Sequence, residues 1–272
     1  MAKVKVVDLS LCQGCRGCQV ACKQWNQLPA VTEEEGLNKG SYENPPDLSA
    51  KTWSRVRFHE FLNSDGSVQF TFFPDACRHC PEPFCMQYCP VEGAITKDPD
   101  TGAVVIHSEL CGDCCGECVA QCPYGIPRLE TSMDDDGVVT TYYRAYKCKL
   151  CNDRVTGSVG GDNTVAAGQD ETAAGVLPST TIEAVPACAK TCPSGAIQFI
   201  DESLLTNTNT YPGTGYSAQW ILNRSAEDLG LTPTTMADAQ PQKVEPHDRR
   251  SALAGLLKPL GIDMSKGEKK KG

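Results

Sequence analysis

The chain has 272 residues, 17 of them cysteine, and its 34 Asp and Glu outweigh 25 Lys and Arg to give a net charge of −9. That balance excludes a general affinity for nucleic acid, which needs clustered basic side chains. Aromatic residues are only 7% of the chain, beside 24 glycines and 18 prolines, so the apolar core is expected to need staples; bound metal is one, because its binding free energy is also folding free energy.

The first residues, Met1-Ala2-Lys3-Val4-Lys5, lack the apolar stretch of a signal peptide and hold no twin-arginine pair. No run approaches the ~18 apolar residues of a membrane span; the best stretch, 251–262, is broken by Lys258 and Pro259. A chain with no membrane segment and no export signal of its own is expected.

Residues 4–7 form a short apolar run that predicts a strand. The first cysteine group follows (Cys12, Cys15, Cys18, Cys22), its end lying in a predicted helix over 18–27. Residues 55–61 and 68–73 alternate, and Asp65-Gly66 between them signals a hairpin. The second group is Cys77, Cys80, Cys85 and Cys89. After the turn Asp98-Pro99-Asp100-Thr101-Gly102, residues 103–106 suit a strand. The third group holds Cys111, the adjacent pair Cys114 and Cys115, then Cys118 and Cys122. Residues 138–146 suit another strand, and the fourth group is split: Cys148 and Cys151, then Cys188 and Cys192. Between them, residues 156–187 are rich in Gly, Ala and Thr and read as an exposed insertion. A strand is expected over 196–200. Residues 203–272 hold no cysteine and end in Lys269-Lys270-Lys271, the pattern of a solvated or partner-wrapping tail. Short strands, short helices and long loops together predict the ferredoxin-like α+β class.

The first group reads C-x2-C-x2-C-x3-C, the bacterial ferredoxin spacing, in which three close thiolates hold one [4Fe–4S] cubane and the fourth cysteine serves its neighbour. Cys89, Cys122 and Cys192 are each followed by Pro, the usual end of that motif, whereas Cys22 is followed by Lys23. Structural zinc also uses C-x2-C pairs but does not call for a third and fourth cysteine repeated four times. A disulfide framework suits small secreted domains, and the C-x-x-C-H of a c-type haem is absent. Four iron–sulfur clusters on 16 cysteines leave one of the 17 spare. The other groups all begin with C-x2-C and vary after it, which assigns Cys114 as ligand and Cys115 as spare. The fourth cysteines can be exchanged between neighbouring groups or in nested fashion, and spacing alone does not choose.

Four groups in this order, with the second loop of the fourth stretched, resemble the electron-transfer subunits of molybdopterin oxidoreductases over residues 1–201. Within that family the chain looks like the beta subunit of formate dehydrogenase. The resemblance is carried by Asp8-Leu9-Ser10, Cys15-Arg16-Gly17-Cys18-Gln19, Ala21-Cys22-Lys23-Gln24-Trp25, Asn44-Pro45-Pro46-Asp47-Leu48-Ser49, Cys122-Pro123-Tyr124-Gly125-Ile126-Pro127-Arg128 and Lys147-Cys148-Lys149-Leu150-Cys151-Asn152-Asp153-Arg154. The chain departs from membrane-anchored relatives in having no C-terminal span, and its third group has one residue too many.

The resemblance implies nested pairing. One cluster would take Cys12, Cys15, Cys18 and Cys192, and its neighbour Cys148, Cys151, Cys188 and Cys22. The others would take Cys77, Cys80, Cys85 with Cys122, and Cys111, Cys114, Cys118 with Cys89. Residues 1–76 with 146–201 would be one ferredoxin-like module, 77–145 the second, and 202–272 a C-terminal extension. The implied partners are a large catalytic subunit carrying a molybdenum or tungsten pterin and a redox acceptor such as a cytochrome. Export to the periplasm beside a signal-bearing partner is the expected location, with the cytoplasm as the alternative. The rival functions are the same role for a polysulfide, sulfoxide or nitrate reductase, or a zinc-stabilised scaffold. No residue is expected to act as acid, base or nucleophile.

His79, between Cys77 and Cys80, reads either as a donor that tunes cluster potential or as a surface-loop histidine. Lys23, Lys147 and Lys149 flank ligands and either offset cluster charge or are solvated. Trp25 and Trp53 are expected in the core.

Overall fold

The structure, a computed structural model, describes residues 3–31, 43–111, 116–133, 139–156, 184–206, 210–213 and 215–231. The chain divides into one compact unit, Met1–Pro233, and a second, Thr234–Gly272, which lies outside the described residues. So do most of the insertion read over 156–187, and both Cys114 and Cys115.

The described strands are β1 (Lys3–Asp8), β2 (Arg55–Leu62), β3 (Val68–Asp75), β4 (Ile95–Lys97), β5 (Val104–Ile106), β6 (Arg128–Met133), β7 (Val139–Tyr146), β8 (Ile197–Asp201), β9 (Thr210–Tyr211) and β10 (Ala218–Ile221). The helices are short: α1 (Gly17–Trp25), α2 (Phe84–Gln87), α3 (Glu117–Ala120), α4 (Asn152–Val155) and α5 (Ala187–Lys190). This is the α+β class expected from the sequence. Four strands form one sheet in the order β8-β1-β10-β9, and the rest pair as the hairpins β2–β3, β4–β5 and β6–β7.

β1 sits inside the sheet, antiparallel to β8 and parallel to β10. Val4, Val6 and Val7 are buried, and so is Lys5 between them, because both faces of the strand are covered. In the hairpin β2–β3, Arg55 pairs with Asp75 and Leu62 with Val68. The turn between the strands is set by the Asp65 carboxylate, which accepts from the Ser67 N–H at 2.9 Å.

The main core joins sheet and hairpin through Val7, Leu9, Val56, Phe73, Ile197, Tyr211, Trp220 and Leu229. Trp220 stacks on Phe73 with centroids 5.6 Å apart, and its Nε1–H donates to the Pro74 carbonyl at 2.9 Å. For residues 210–231 this corrects the reading of 203–272 as a solvated or partner-wrapping tail, while 232–272 lie outside the described residues. The first compact unit runs past residue 201, and Trp220, fully buried, is at its centre. The run Ala218-Gln219-Trp220-Ile221 is too short to show a period, and its burial comes from pairing with the distant β1. The expectation for the other tryptophans is only partly met: Trp25 and Trp53 lie at the core's margins, half-buried.

Smaller apolar clusters contain cysteines as members: Cys111 and Cys118 with Ile95, Val104 and Ala145; Cys151 with Ala21 and Ala187; Cys77 with Leu48 and Ile126. With few large side chains available, the cysteine loops themselves are what these strands and helices pack around.

Candidate metal centres

The described first pairs share one loop. The residue before the second cysteine is left-handed in each: Gly14 (φ +66°) before Cys15, His79 (φ +50°) before Cys80, and Leu150 (φ +58°) before Cys151. That turn aims an amide back at the first sulfur. The His79 N–H donates to Cys77 Sγ and the Leu150 N–H to Cys148 Sγ, both at 3.4 Å, and the Gly14 N–H does the same for Cys12. Holding a non-glycine residue there costs about 1–3 kcal/mol, which the repeated geometry makes a built feature. At Gly14 the demand for glycine is double, since a Cβ would also lie 2.7 Å from the Phe72 ring.

The third and fourth cysteines start on short helices. Cys18 and Cys22 lie on α1; Cys85, Cys118 and Cys188 lie on α2, α3 and α5, with Cys89, Cys122 and Cys192 one helical turn later. On α1 the spacing of four puts both sulfurs on one helix face, whereas in the other three groups the helix ends two residues before the fourth cysteine. Amides again reach the fourth sulfur: the Ile126 N–H donates to Cys122 Sγ at 3.5 Å and the Ile197 N–H to Cys192 Sγ at 3.4 Å, while Asn26 Nδ2–H donates to Cys22 Sγ at 3.6 Å.

The electrostatic neighbours of each thiol show which cysteines the fold brings together. Burial first, then Cys148, Cys151 and Cys188, push Cys22 well above the ordinary thiol value. Burial, then Cys188, Cys12, Cys15 and Cys192, push Cys18 up to about 12; Cys12 is raised by burial, opposed by the Gly14 amide, with Cys192 and Cys15 adding to the rise. Cys80 rises to about 12 through burial, Cys77, Cys122 and Cys85. Cys85 reaches about 12 through burial, against Lys147, with Cys77 and Cys122 adding to it. In the third group, Cys111 and Cys118 share an apolar cluster with Cys85 and Cys89; Cys114 is outside the described residues.

Crowded, buried thiols of this kind do not ionise alone; a multivalent cationic core is what stabilises four thiolates together. All-sulfur donor sets, with amides aimed at the sulfurs, fit a [4Fe–4S] group. Among the described residues no three His, Cys, Asp or Glu side chains converge at the spacing of a single metal ion.

Buried cations line the sets. Lys5 and Lys147 are each 4% exposed and Arg78 3%. Lys147 Nζ donates to the carbonyls of Val104 and Cys148, so it is not the solvated lysine that the sequence allowed. Lys149 pairs with Asp153 at 3.7 Å, and Lys23 Nζ donates to the Lys51 carbonyl at 2.7 Å. Arg78 pairs with Asp75 at 2.6 Å and lies 4.6 Å from the Trp220 ring centroid. His79 is fully buried, which removes the surface-loop reading. Its Nδ1 accepts the Val104 N–H at 3.0 Å, so Nε2 carries the proton, and Nε2 has no protein partner among the described residues. Burial, then Lys147, Lys5 and Lys97, hold the ring well below the usual histidine value and hence neutral. Sequence reasoning passed over Lys5; its one signal is a lysine inside the apolar run 4–7.

Residues 68–170 match the 4Fe-4S dicluster domain family. The chain is 40% identical over 195 residues to the formate dehydrogenase-O iron-sulfur subunit of Escherichia coli (strain K12), covering 72% of this chain and 52% of that protein. It is 37% identical over 204 residues to formate dehydrogenase 2 subunit beta (cytochrome c-553) of Nitratidesulfovibrio vulgaris, covering 73% and 76%. It is 34% identical over 206 residues to the formate dehydrogenase subunit beta of Megalodesulfovibrio gigas, covering 75% and 78%. The chain thus spans about half the length of the Escherichia coli relative and about three quarters of the other two. A zinc-stabilised scaffold does not fit these matches. The thiol sets, the amides aimed at them and the relatives agree that the chain belongs to the family of formate dehydrogenase iron–sulfur (beta) subunits, with a domain of the 4Fe-4S dicluster type.

Proposed function

We propose that the chain holds four [4Fe–4S] clusters and relays electrons between a molybdenum or tungsten pterin catalytic subunit of a formate dehydrogenase and an external acceptor such as a cytochrome. The observation that carries this reading is Cys22. It belongs to the first group in sequence, yet the thiols that raise it are Cys148, Cys151 and Cys188 of the fourth, and its neighbour Ala21 packs on Cys151 and Ala187. Ligand exchange in a nested pair would bring these four together. Nesting gives the sets Cys12/Cys15/Cys18/Cys192 and Cys148/Cys151/Cys188/Cys22 in one module, 1–76 with 146–201. It gives Cys77/Cys80/Cys85/Cys122 and Cys111/Cys118/Cys89, completed by one of the adjacent pair Cys114 and Cys115, in the other, 77–145. When bound, such a group accepts and releases one electron with little change in shape. The chain's residues supply sulfur, amide donors and buried positive charge; none is assigned acid, base or nucleophile work. Co-export with a signal-bearing catalytic subunit places the complex in the periplasm on this reading.

Iron and acid-labile sulfide analysis of anaerobically purified protein is expected to give about 16 iron per chain. A count near about 12 would leave one set without its cubane, and zinc in place of iron would overturn the reading. Formate oxidation should appear only when a pterin-bearing chain co-purifies; formate oxidation by the isolated chain would contradict the assigned role.

A further inference from the structure

The motif Asn44-Pro45-Pro46-Asp47-Leu48-Ser49 carries no cysteine, and the relay as described does not use it. Its one ionisable side chain is engaged by arginine. Arg128 Nη2 donates to both Asp47 carboxylate oxygens at 3.0 Å, and Arg55 Nη2 lies 3.5 Å from Asp47 Oδ1. The chain on either side is tied down as well. The Asn44 carbonyl accepts from Gln19 Nε2 at 2.9 Å, the Pro46 carbonyl from Arg55 Nη1, and the Lys51 carbonyl from Lys23 Nζ at 2.7 Å. Ser49 and Thr52 exchange backbone hydrogen bonds at 3.0 and 3.1 Å, and Glu43 pairs with Arg55 at 3.0 Å. Residues 43–54 are thus a strap tied to α1, β2 and β6.

The strap presents different side chains to water and to the protein. Asn44 and Asp47 are exposed. Leu48, next to Asp47, is 5% exposed and forms one buried apolar cluster with Cys77 and Ile126, against which Cys122, Tyr124 and Cys148 pack. The cysteines of that cluster come from two sets: Cys77 and Cys122 from one, Cys148 from the other. Their sulfurs already have amide donors, from His79 to Cys77, Ile126 to Cys122 and Leu150 to Cys148. A leucine side chain adds no hydrogen bond and no charge to such a place. What it supplies is the exclusion of water.

We infer that Leu48 is a plug, held by the strap over the junction of the Cys77/Cys80/Cys85/Cys122 and Cys148/Cys151/Cys188/Cys22 centres, which keeps water from both and so holds their reduction potentials down. The inference rests on the ligand sets proposed above. Reduction adds negative charge, and water stabilises negative charge better than an apolar wall does. Solvent exposure is accordingly one of the levers that set the potential of such centres. Alanine at this position leaves a gap beside sulfur atoms and amide dipoles, and a gap with polar walls is one that water enters.

The test uses the purified complex carrying Leu48→Ala or Leu48→Met. It combines a redox titration, followed by electron paramagnetic resonance, with the deuteron signal of the reduced centres after exchange into heavy water. In Leu48→Ala the reduction equilibrium of two components should rise by about tenfold, an upward shift of about 59 mV for one electron, and the same two should gain deuterons. Leu48→Met, which refills the space, should keep the wild-type values of both. A purely structural role for Leu48 would lower iron loading but leave the midpoints and deuterons of the loaded protein where they are. That result would overturn the proposal, as would a shift shared by all components. Fewer than four components in the wild type would fault the ligand sets; the deuteron gain would then still decide for or against the plug. If Leu48→Ala fails to load iron, Leu48→Val takes its place with the same two outcomes.

Discussion

Gly116 opens α3 in the left-handed region, φ +74°, as Arg16 opens α1 with φ +62°. Each is followed two residues later by the third cysteine of its group, Cys118 or Cys18, and each is preceded directly by a cysteine, Cys115 or Cys15. This repeat of the helix start bears on the adjacent pair, which itself lies outside the described residues. Counting spacings assigned Cys114, because the other groups keep a C-x2-C first pair. Read backward from the third cysteine, Cys115-Gly116-Glu117-Cys118 has the spacing of Cys15-Arg16-Gly17-Cys18, a register that would put the extra residue in the first loop. The helix, however, also starts two residues before the third cysteine in the second and fourth groups, at Pro83 and Pro186, where no cysteine precedes it. The choice therefore rests on the C-x2-C first pair that the other groups share. Cys114→Ser is expected to cost or convert one cluster, at most about four iron. Cys115→Ser should leave the iron content and the reduced-state paramagnetic spectrum as they are. The reverse result would place the extra residue within the first pair.

Among the elements, β10 carries the most weight for its length. Trp220 contacts the hairpin through Phe73, caps the Pro74 carbonyl, and lies beside both Lys5 and Arg78. Removing a side chain of that size from a packed core costs about 3–5 kcal/mol. Trp220→Ala should move the midpoint of denaturant-induced cluster bleaching to markedly lower denaturant, whereas a tail-like element would leave it unmoved. β10 also marks the limit of what the chain reveals by itself. The strands over 4–7, 55–61 and 68–73 were legible because each alternates or is uniformly apolar beside a turn signal, and β8 because it follows the last cysteine motif closely. β4 and β6 were not: Ile95–Lys97 is three residues long, and Arg128–Met133 is too polar to show a buried face. The cysteines were legible at once, because their spacing is a chemical requirement. Lys5 and Trp220 were not, because their meaning comes from pairing between β1 and β10, which no local pattern records.

At the scale of the molecule, burial is unequal along the proposed relay. Cys77 and Cys151 are buried, and so are Cys18, Cys111 and Cys118, so exposure is carried by single cysteines and their neighbours. At one end Cys15 is exposed, with Leu11 and Val20 showing 44% and 62% of their surface nearby in sequence; at the other, Met86, Tyr88 and Leu110 are exposed beside Cys85, Cys89 and Cys111. A centre that exchanges electrons with another protein must lie close to the surface, and apolar side chains around it are suited to being covered by that protein. Oxygen reaches the same places. The isolated chain is therefore expected to bleach faster in air than the complex with its catalytic subunit, and the loss should begin at a centre near an end. The visible band followed in air, with and without the partner, measures the first claim. Paramagnetic spectra taken at partial bleaching measure the second, since the components should then disappear one after another. Equal rates free and complexed, or simultaneous loss of all components, would mean that surface proximity does not govern the damage, and would remove the argument that these exposed apolar residues mark the ends of the relay.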